Sequence, residues 1–424
     1  MTHSLPGDPG SIDLIDAEAD SVPAPEPHRP KGLARFLLGA SLVLIAFNLR
    51  PVFSSASALL PEIRDVLGLS PTGASLLTTL PVVCLGLFSP LAPRLAQRIG
   101  TERTLLAVVF LLALGTALRG LSSIPLLFLG TALAGASIAV GNVLLPGLVK
   151  RDFPDKAAMM TGFYTMALCA GAAGAAGLTL PVEHALGGSL DGALAIWALP
   201  ALLVGLLWLP QVLATRARPK RTGFRVEGLW RDRLAWHVTL FMGLQSALAY
   251  CVFGWLVPIL RERGLDGVTA GAIVSVSVMV QAASCLVAPH LAVRGRDQRL
   301  INVALCGIAV VALLGLLFAP LSTVWFWAVL QGIGQGGLIA VAMTVIVLRT
   351  RDPHMAAHLS GMAQCVGYLL AAIGPLVVGL IRGWTGSFAW SAVLIVLLGL
   401  GAAINGWFAG KALYVNARTV ETSG

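Results

Sequence analysis

The chain has 424 residues, 57% hydrophobic and only 12% charged, with a formal net charge of +9. An ordinary soluble domain carries about 25% charged residues, and no soluble fold of this length could hide so much apolar surface, so the excess must face lipid. The basic residues fall in short segments between apolar runs, where they set topology, and no Lys/Arg stripe with interleaved aromatics forms a nucleic-acid surface.

Residues 1–32 hold Asp8, Asp13, Asp16, Glu18, Asp20 and Glu26 among repeated prolines, with no apolar run. This is no signal peptide, and a stretch that cannot bury enough surface to fold is expected to be a disordered cytoplasmic tail. A span needs about 20 mostly apolar residues to cross a ~30 Å hydrocarbon core. Charged breaks delimit twelve, at about 34–60, 72–93, 104–121, 124–149, 157–181, 193–213, 235–260, 269–291, 300–319, 322–348, 356–381 and 387–410. The third and fourth are parted by little more than Gly120–Ser123. Open sheet edges cannot exist in lipid and the alternation of a membrane barrel is absent. The expected class is therefore an all-α membrane protein of twelve transmembrane helices. Its units are a six-helix half at 33–213, a basic cytoplasmic linker at 214–234, a second six-helix half at 235–411 and a cytoplasmic tail at 412–424.

Of the 29 lysines and arginines, Arg64, Arg119, Arg261, Arg263 and Arg382 fall in one set of loops, Arg50 lies within a span, and the other 23 share the opposite side. That bias predicts cytoplasmic termini and an even span count. Cys84, Cys169, Cys251, Cys285, Cys306 and Cys365 all lie in apolar runs without a CxxC pair. They read as small buried hydrophobes, with no disulfide framework, no metal site and no cofactor.

The linker divides two similar halves. Ala92-Pro93-x-Leu95-Ala96-x-Arg98 with Arg103 recurs as Ala288-Pro289-x-Leu291-Ala292-x-Arg294 with Arg299. Arg151-Asp152-Phe153-Pro154 with Ala157, Ala158 and Gly162 recurs as Arg351-Asp352-Pro353 with Ala356, Ala357 and Gly361. Both matches fall at equivalent loops. A duplicated six-helix unit with both ends on one side is the plan of a facilitator-type transporter whose pseudo-symmetric halves rock about a midplane site.

Arg50 sits in Phe47-Asn48-Leu49-Arg50-Pro51, fifteen residues beyond Arg35, which places it roughly mid-membrane at 1.5 Å per residue. A charge there costs about 2.5–3.5 kcal/mol on insertion scales. It either satisfies carbonyls freed by Pro51, pairs with a neighbouring helix, or anchors an anionic or strongly dipolar substrate. Every Asp, Glu and His lies in the tail, in loops or at span ends, so Arg50 has no membrane carboxylate to pair with. Neutral polar residues at comparable depth are Asn48, Asn142, Tyr164, Gln245, Tyr250, Gln281, Gln331, Gln335, Gln364 and Tyr368. Some should join helices by hydrogen bonds and the rest should line a polar cavity; the candidate binding set is Arg50, Asn48, Asn142, Tyr164, Gln245, Tyr250, Gln335, Gln364 and Tyr368. Glycine-rich spans permit close helix packing, and Pro51, Pro81, Pro90, Pro146, Pro258 and Pro375 permit kinks.

The loop Arg94–Arg103 resembles the facilitator superfamily's second-to-third-loop motif, with Arg98, Gly100 and Arg103 as candidate conformational residues. The motif's acid is replaced by Gln97, which puts the usual charge latch in doubt. Three strings are similar to the cyanate and 2-nitroimidazole transporter family within the major facilitator superfamily: Asn48–Pro51 running into Leu59–Arg64, Gly141–Pro154, and Ser360–Tyr368. The resemblance covers about 33–410. It implies a twelve-helix facilitator fold in a bacterial inner membrane, working as a monomer on a small anionic or nitro-bearing solute. A drug exporter of the same fold is the competing reading, although such pumps commonly use a membrane acid. A channel would bring a filter loop, and an intramembrane enzyme would need an HExxH, a GxSxG or a mid-span base, none of which the sequence contains.

Overall fold

The computed structural model describes residues 32–153, 156–214, 224–351 and 353–421. The acidic segment 1–31, linker residues 215–223, Pro154 and Asp352 of the repeat, and residues 422–424 lie outside the described residues. Residues 1–37 and 38–424 form separate units, and only the opening turn of the first helix is described in the former.

Among the described residues, twelve helices are long and apolar enough to cross a membrane. The first span is broken into α1 (Leu33–Asn48) and α2 (Pro51–Ala58), continued by α3 (Leu60–Leu67). Then come α4 (Pro71–Phe88) with α5 (Leu91–Ile99), α6 (Thr101–Leu118), α7 (Ile124–Asp152), α8 (Ala157–Ala185), and α9 (Leu190–Ala195) with α10 (Ala198–Ala214). The second half holds α11 (Arg233–Glu262), α12 (Gly267–Arg294), α13 (Arg299–Phe318), α14 (Val324–Leu348), α15 (Pro353–Ala371) with α16 (Ile373–Thr385), and α17 (Ser391–Ala409). These match the twelve apolar runs expected from the sequence.

Local chemistry sets the helix ends. Ser70 caps α4 by accepting from Gly73 N, and Asp266, 196 residues later, caps α12 by accepting from Thr269 N. The Thr269 hydrogen bonds hold the Asp266 carboxyl below the usual carboxylate range. Gly68 and Gly386 end α3 and α16 in the left-handed conformation that glycine adopts without strain. The α6–α7 connection turns at Ser122, whose backbone N–H and hydroxyl both donate to Asp191. Arg119, expected in that loop, is buried instead (2% exposed) and donates Nη2 to Ser55 Oγ at 3.4 Å. As the C-cap of α6 it turns inward over Gly130, where any side chain would meet its stem. The repeat is imperfect at the prolines: the second span breaks at Ser89–Pro90 before Pro93, whereas α12 runs unbroken through Pro289.

One end of the bundle carries β1, β2 and the start of α11 (the terminal end); the other carries Glu62, Asp191, Arg261 and Arg382 (the loop end). The halves meet where α4 packs on α15 and α16, α8 on α12, and α2 on α11. At the loop end this seam is tight. A Cβ on Gly271 would stand 2.3 Å from the Ala176 carbonyl oxygen, Gly254 abuts Thr78, and Gly383 abuts Pro71. Ser275 Oγ donates across the seam to the Ala173 carbonyl at 2.6 Å, and Arg261 bridges to Glu62 at 2.8 Å. At the terminal end Gly162 of α8 still meets the Leu286 side chain of α12, while Gly147 and Gly361 have no neighbour within 4 Å. The loop end is the more tightly closed one.

The linker and tail also fold together. Strands β1 (Phe224–Glu227) and β2 (Arg418–Glu421) pair antiparallel, with Glu227 opposite Arg418. Val415 N donates to the Arg349 carbonyl, and Asn416 N donates to Asp232 Oδ2 at 3.0 Å.

Candidate functional site

The first span cannot stay helical through Leu49-Arg50-Pro51. Proline has no N–H, its ring excludes the preceding residue from a continuing helix, and it suits the first turn of a new one. Arg50 is therefore the N-cap of α2, with φ −117° and ψ −27°. Two glycines make room for the break. A Cβ on Gly171 of α8 would fall 2.0 Å from the Phe47 carbonyl oxygen, and Gly141 of α7 packs on the Leu49 side chain.

The Arg50 guanidinium turns toward the second half. Its Nη1 donates to the Tyr250 hydroxyl at 3.3 Å, and its Cζ lies 5.9 Å from the ring centroids of both Phe53 and Phe253. Tyr250 is the hub of the aromatic group, with Phe53 at 5.5 Å, Tyr368 at 6.1 Å and Phe253 at 6.2 Å between centroids. Tyr368 and Cys169 lie within electrostatic range of Arg50, as Tyr164 does of Tyr368. No carboxylate pairs with Arg50 among the described residues. A guanidinium offers five donors in a plane, and the hydroxyl and two ring faces leave most of them free for a planar anion or nitro group. On the loop side of this cluster lies a cavity of about 10 Å³, lined by Phe53, Thr78, Tyr250 and Gly254 among others. That volume is about one water probe, too small to hold a solute on the loop side of Arg50.

Of the other sequence candidates, Asn142 follows Gly141 at the level of the break, and its amide nitrogen is buried without a partner among the described residues. Four candidates are engaged elsewhere. Asn48 donates back to the Leu44 carbonyl at 2.8 Å, and Gln364 donates to Ser360 Oγ at 3.0 Å on its own helix. Gln335 donates to Gln245 Oε1 at 3.3 Å and to its carbonyl at 3.1 Å, joining α14 to α11. Such intramembrane hydrogen bonds contribute about 0.6 kcal/mol on average. Gln331 accepts from Ser277, a further helix-to-helix bond.

Phe53 and Phe253 were not among the sequence candidates, yet a signal existed. Arg50-x-Val52-Phe53 and Tyr250-x-Val252-Phe253 occupy the same place in the two halves at an offset of 200, and Leu60 and Glu62 continue it as Leu260 and Glu262. The site is thus the meeting of the first span of each half.

Arg98, Gly100 and Arg103 lie at the terminal end. Gly100 takes φ 91°, closed to most side chains, and both arginines are exposed. Gln97 offers no carboxylate for the usual charge latch, but an ion pair lies nearby: Glu102, nearly buried, pairs with Arg151 at 2.7 Å, and Trp208 Nε1 donates to the Glu102 carbonyl. Burial opposes the Arg151 charge, but Asp152 and Glu102 carry its pKa above the ordinary value. In the second half Gln298, 196 residues after Glu102, accepts from Arg349, which also donates to the carbonyls of Ala409 and Gly410. There burial wins and the Arg349 pKa falls. The two halves close the same corner, one with a carboxylate and one with an amide.

The Major Facilitator Superfamily model matches residues 36–375. An uncharacterized transporter, YycB, of Bacillus subtilis (strain 168) is 40% identical over 92% of this chain and 97% of its own length. The 2-nitroimidazole transporter of Escherichia coli (strain K12) is 41% identical over 90% of this chain and 97% of its own. The cyanate transport protein CynX of the same organism is 29% identical over 85% and 94%. Among solved structures, an inward-facing bacterial homolog of the human lysosomal transporter Spinster shares the fold with a TM-score of 0.72 at 17% identity, covering 91% of this chain and 98% of that one. The family match spans most of the chain and agrees with its twelve spans and two halves: the chain belongs to the Major Facilitator Superfamily and is a multi-pass membrane transporter.

Proposed function

We propose that this transporter moves a small, planar, anionic or nitro-bearing solute by alternating access, with Arg50 as the charged anchor. The observation that carries the reading is a half-buried guanidinium at a helix break, facing the opposite half among four aromatic rings, with no carboxylate among the described residues to neutralise it. The solute supplies the counter-charge. Phe53, Phe253, Tyr250 and Tyr368 supply ring faces and hydroxyls, and the unpartnered Asn142 amide supplies a donor. The relatives that carry a nitroheterocycle and cyanate are both small dipolar or anionic cases. With the loop end the more tightly closed, solute enters and leaves this state from the terminal end. We place that end in the cytoplasm of a bacterial inner membrane because the sequence assigns 23 basic residues to the segments on that side, and we take the monomer as the working unit.

A drug exporter of the same fold would use a membrane acid to hold cationic compounds; the charge held at this midpoint is positive. The test is counterflow in proteoliposomes. Internal unlabelled 2-nitroimidazole or cyanate should accelerate uptake of the labelled solute in wild type and not in Arg50→Ala. Stimulation by organic cations with indifference to both solutes would overturn the reading.

A further inference from the structure

Where linker and tail meet at the terminal end of the second half, the structure holds a cavity of about 550 Å³ whose wall includes Arg231, Asp232, Arg233, Leu413 and Tyr414. That volume suits a small-molecule group. The one acid in the wall is already committed: Asp232 Oδ1 caps α11 by accepting from Ala235 N at 2.7 Å, and Oδ2 accepts from Asn416 N. Glu227, the nearest acid in sequence, stands opposite Arg418 in the strand pair. Arg231 and Arg233 are exposed and have no ion-pair partner among the described residues. A third cation backs them, since Arg351 lies 5.5 Å from the Tyr414 ring centroid.

The rim is apolar where a water-facing loop would be polar. Leu413 and Tyr414 in the wall are each 57% exposed, and Trp230, next to Arg231 in the chain, is 59% exposed. The Trp230 position is set by Trp236, whose Nε1 donates to the Trp230 carbonyl at 2.9 Å. These side chains stand just beyond the ends of two spans, α11 and α17, at the level where tryptophan and tyrosine favour the boundary between headgroups and acyl chains. Cations directed at a cavity with an aromatic rim suit a ligand that is anionic at its head and apolar at its tail.

We propose that this cavity binds the phosphodiester headgroup of an anionic lipid, with Arg231 and Arg233 holding the phosphate and Trp230, Leu413 and Tyr414 meeting the acyl chains. The lipid would fasten the linker between the halves to the tail and to one leaflet. Two basic residues near an anionic surface set the expected loss on their removal at roughly 10- to 30-fold in lipid affinity.

The test uses the full-length protein in detergent, with lipid retention read by native mass spectrometry and apparent stability by thermal shift. Phosphatidylglycerol should be retained and should raise the melting temperature, phosphatidylcholine should do neither, and millimolar inorganic phosphate should give no comparable shift. Arg231→Gln/Arg233→Gln should retain phosphatidylglycerol about 10- to 30-fold less well. Leu413→Asn/Tyr414→Ser, which keeps both arginines, should also lose retention. Equal retention of the two lipids, a full shift from inorganic phosphate alone, or wild-type retention in whichever variant runs as a folded species would overturn the assignment.

Discussion

Gly271→Ala should tilt this transporter away from its loop-closed state. In the closed state a Cβ at position 271 would stand 2.3 Å from the Ala176 carbonyl oxygen, against 3.4 Å for an ordinary contact. The obstacle is backbone of the opposite half, so no rotamer change relieves it, and all three of the nearest atoms belong to α8. The closest obstacles all lie on the opposite half, so this strain is relieved when the loop ends of α8 and α12 move apart. Overpacking of this kind costs about 1–3 kcal/mol. A state-specific cost of that size shifts a two-state equilibrium roughly 5- to 150-fold. Spin labels at Leu186→Cys and Trp390→Cys, exposed loop-end positions in opposite halves, should report the shift as a longer-distance population in double electron–electron resonance. Gly307→Ala, where the added Cβ meets nothing within 4 Å, serves as the control and should leave the distribution unchanged. An unchanged distribution in Gly271→Ala, with the protein folded, would show that α8 and α12 do not separate there and would refute the rocking seam.

Three further outcomes follow from the same geometry. Glu62→Arg or Arg261→Glu alone should increase thiol labelling at a loop-end cysteine a few-fold, as expected for a partly exposed pair of about 0.2–1 kcal/mol, and the double exchange should restore wild-type labelling. Glu102→Gln leaves Arg151 with only its neighbour Asp152, so thermal denaturation should begin a few degrees lower, reflecting about 1–3 kcal/mol from a nearly buried charged hydrogen bond. Phe53→Ala and Phe253→Ala should weaken 2-nitroimidazole binding about 2- to 10-fold, the range for aromatic stacking, while cyanate, too small to stack, binds as before in calorimetry.

The fold was legible because lipid makes a simple demand: an uninterrupted apolar run of span length must become a helix, and the twelve runs did. Arg50 was legible for the same reason, since a charge at mid-span conflicts with its solvent. What surrounds it was not. Phe53 and Phe253 look like ordinary lipid-compatible residues, and only the offset of 200 between Val52-Phe53 and Val252-Phe253 marks them. Gln245 and Gln335 are indistinguishable in sequence from cavity-lining amides, because whether two amides meet depends on helix rotation and not on depth. The Glu102–Arg151 pair was not legible because its acid lies five positions beyond Gln97, across the turn at Gly100. Arg119 counts as a loop charge until the inward turn after α6 is known, and the β1–β2 pair joins segments nearly 200 residues apart that carry no strand pattern of their own.

The central claim is that the solute is held by the Arg50 fork. Its most direct test is equilibrium binding of 2-nitroimidazole and of cyanate to the purified protein, comparing wild type with Arg50→Lys and Arg50→Ala. A planar guanidinium holds an anion or nitro group through paired donors that a point-charge ammonium cannot copy. Wild type should bind at least one of the two solutes. Arg50→Lys should lose most of that affinity and Arg50→Ala all of it, with both variants folded and inserted. Arg50→Ala protein that binds the same solute with unchanged affinity would contradict the account and leave the arginine as a structural cap on the broken first span.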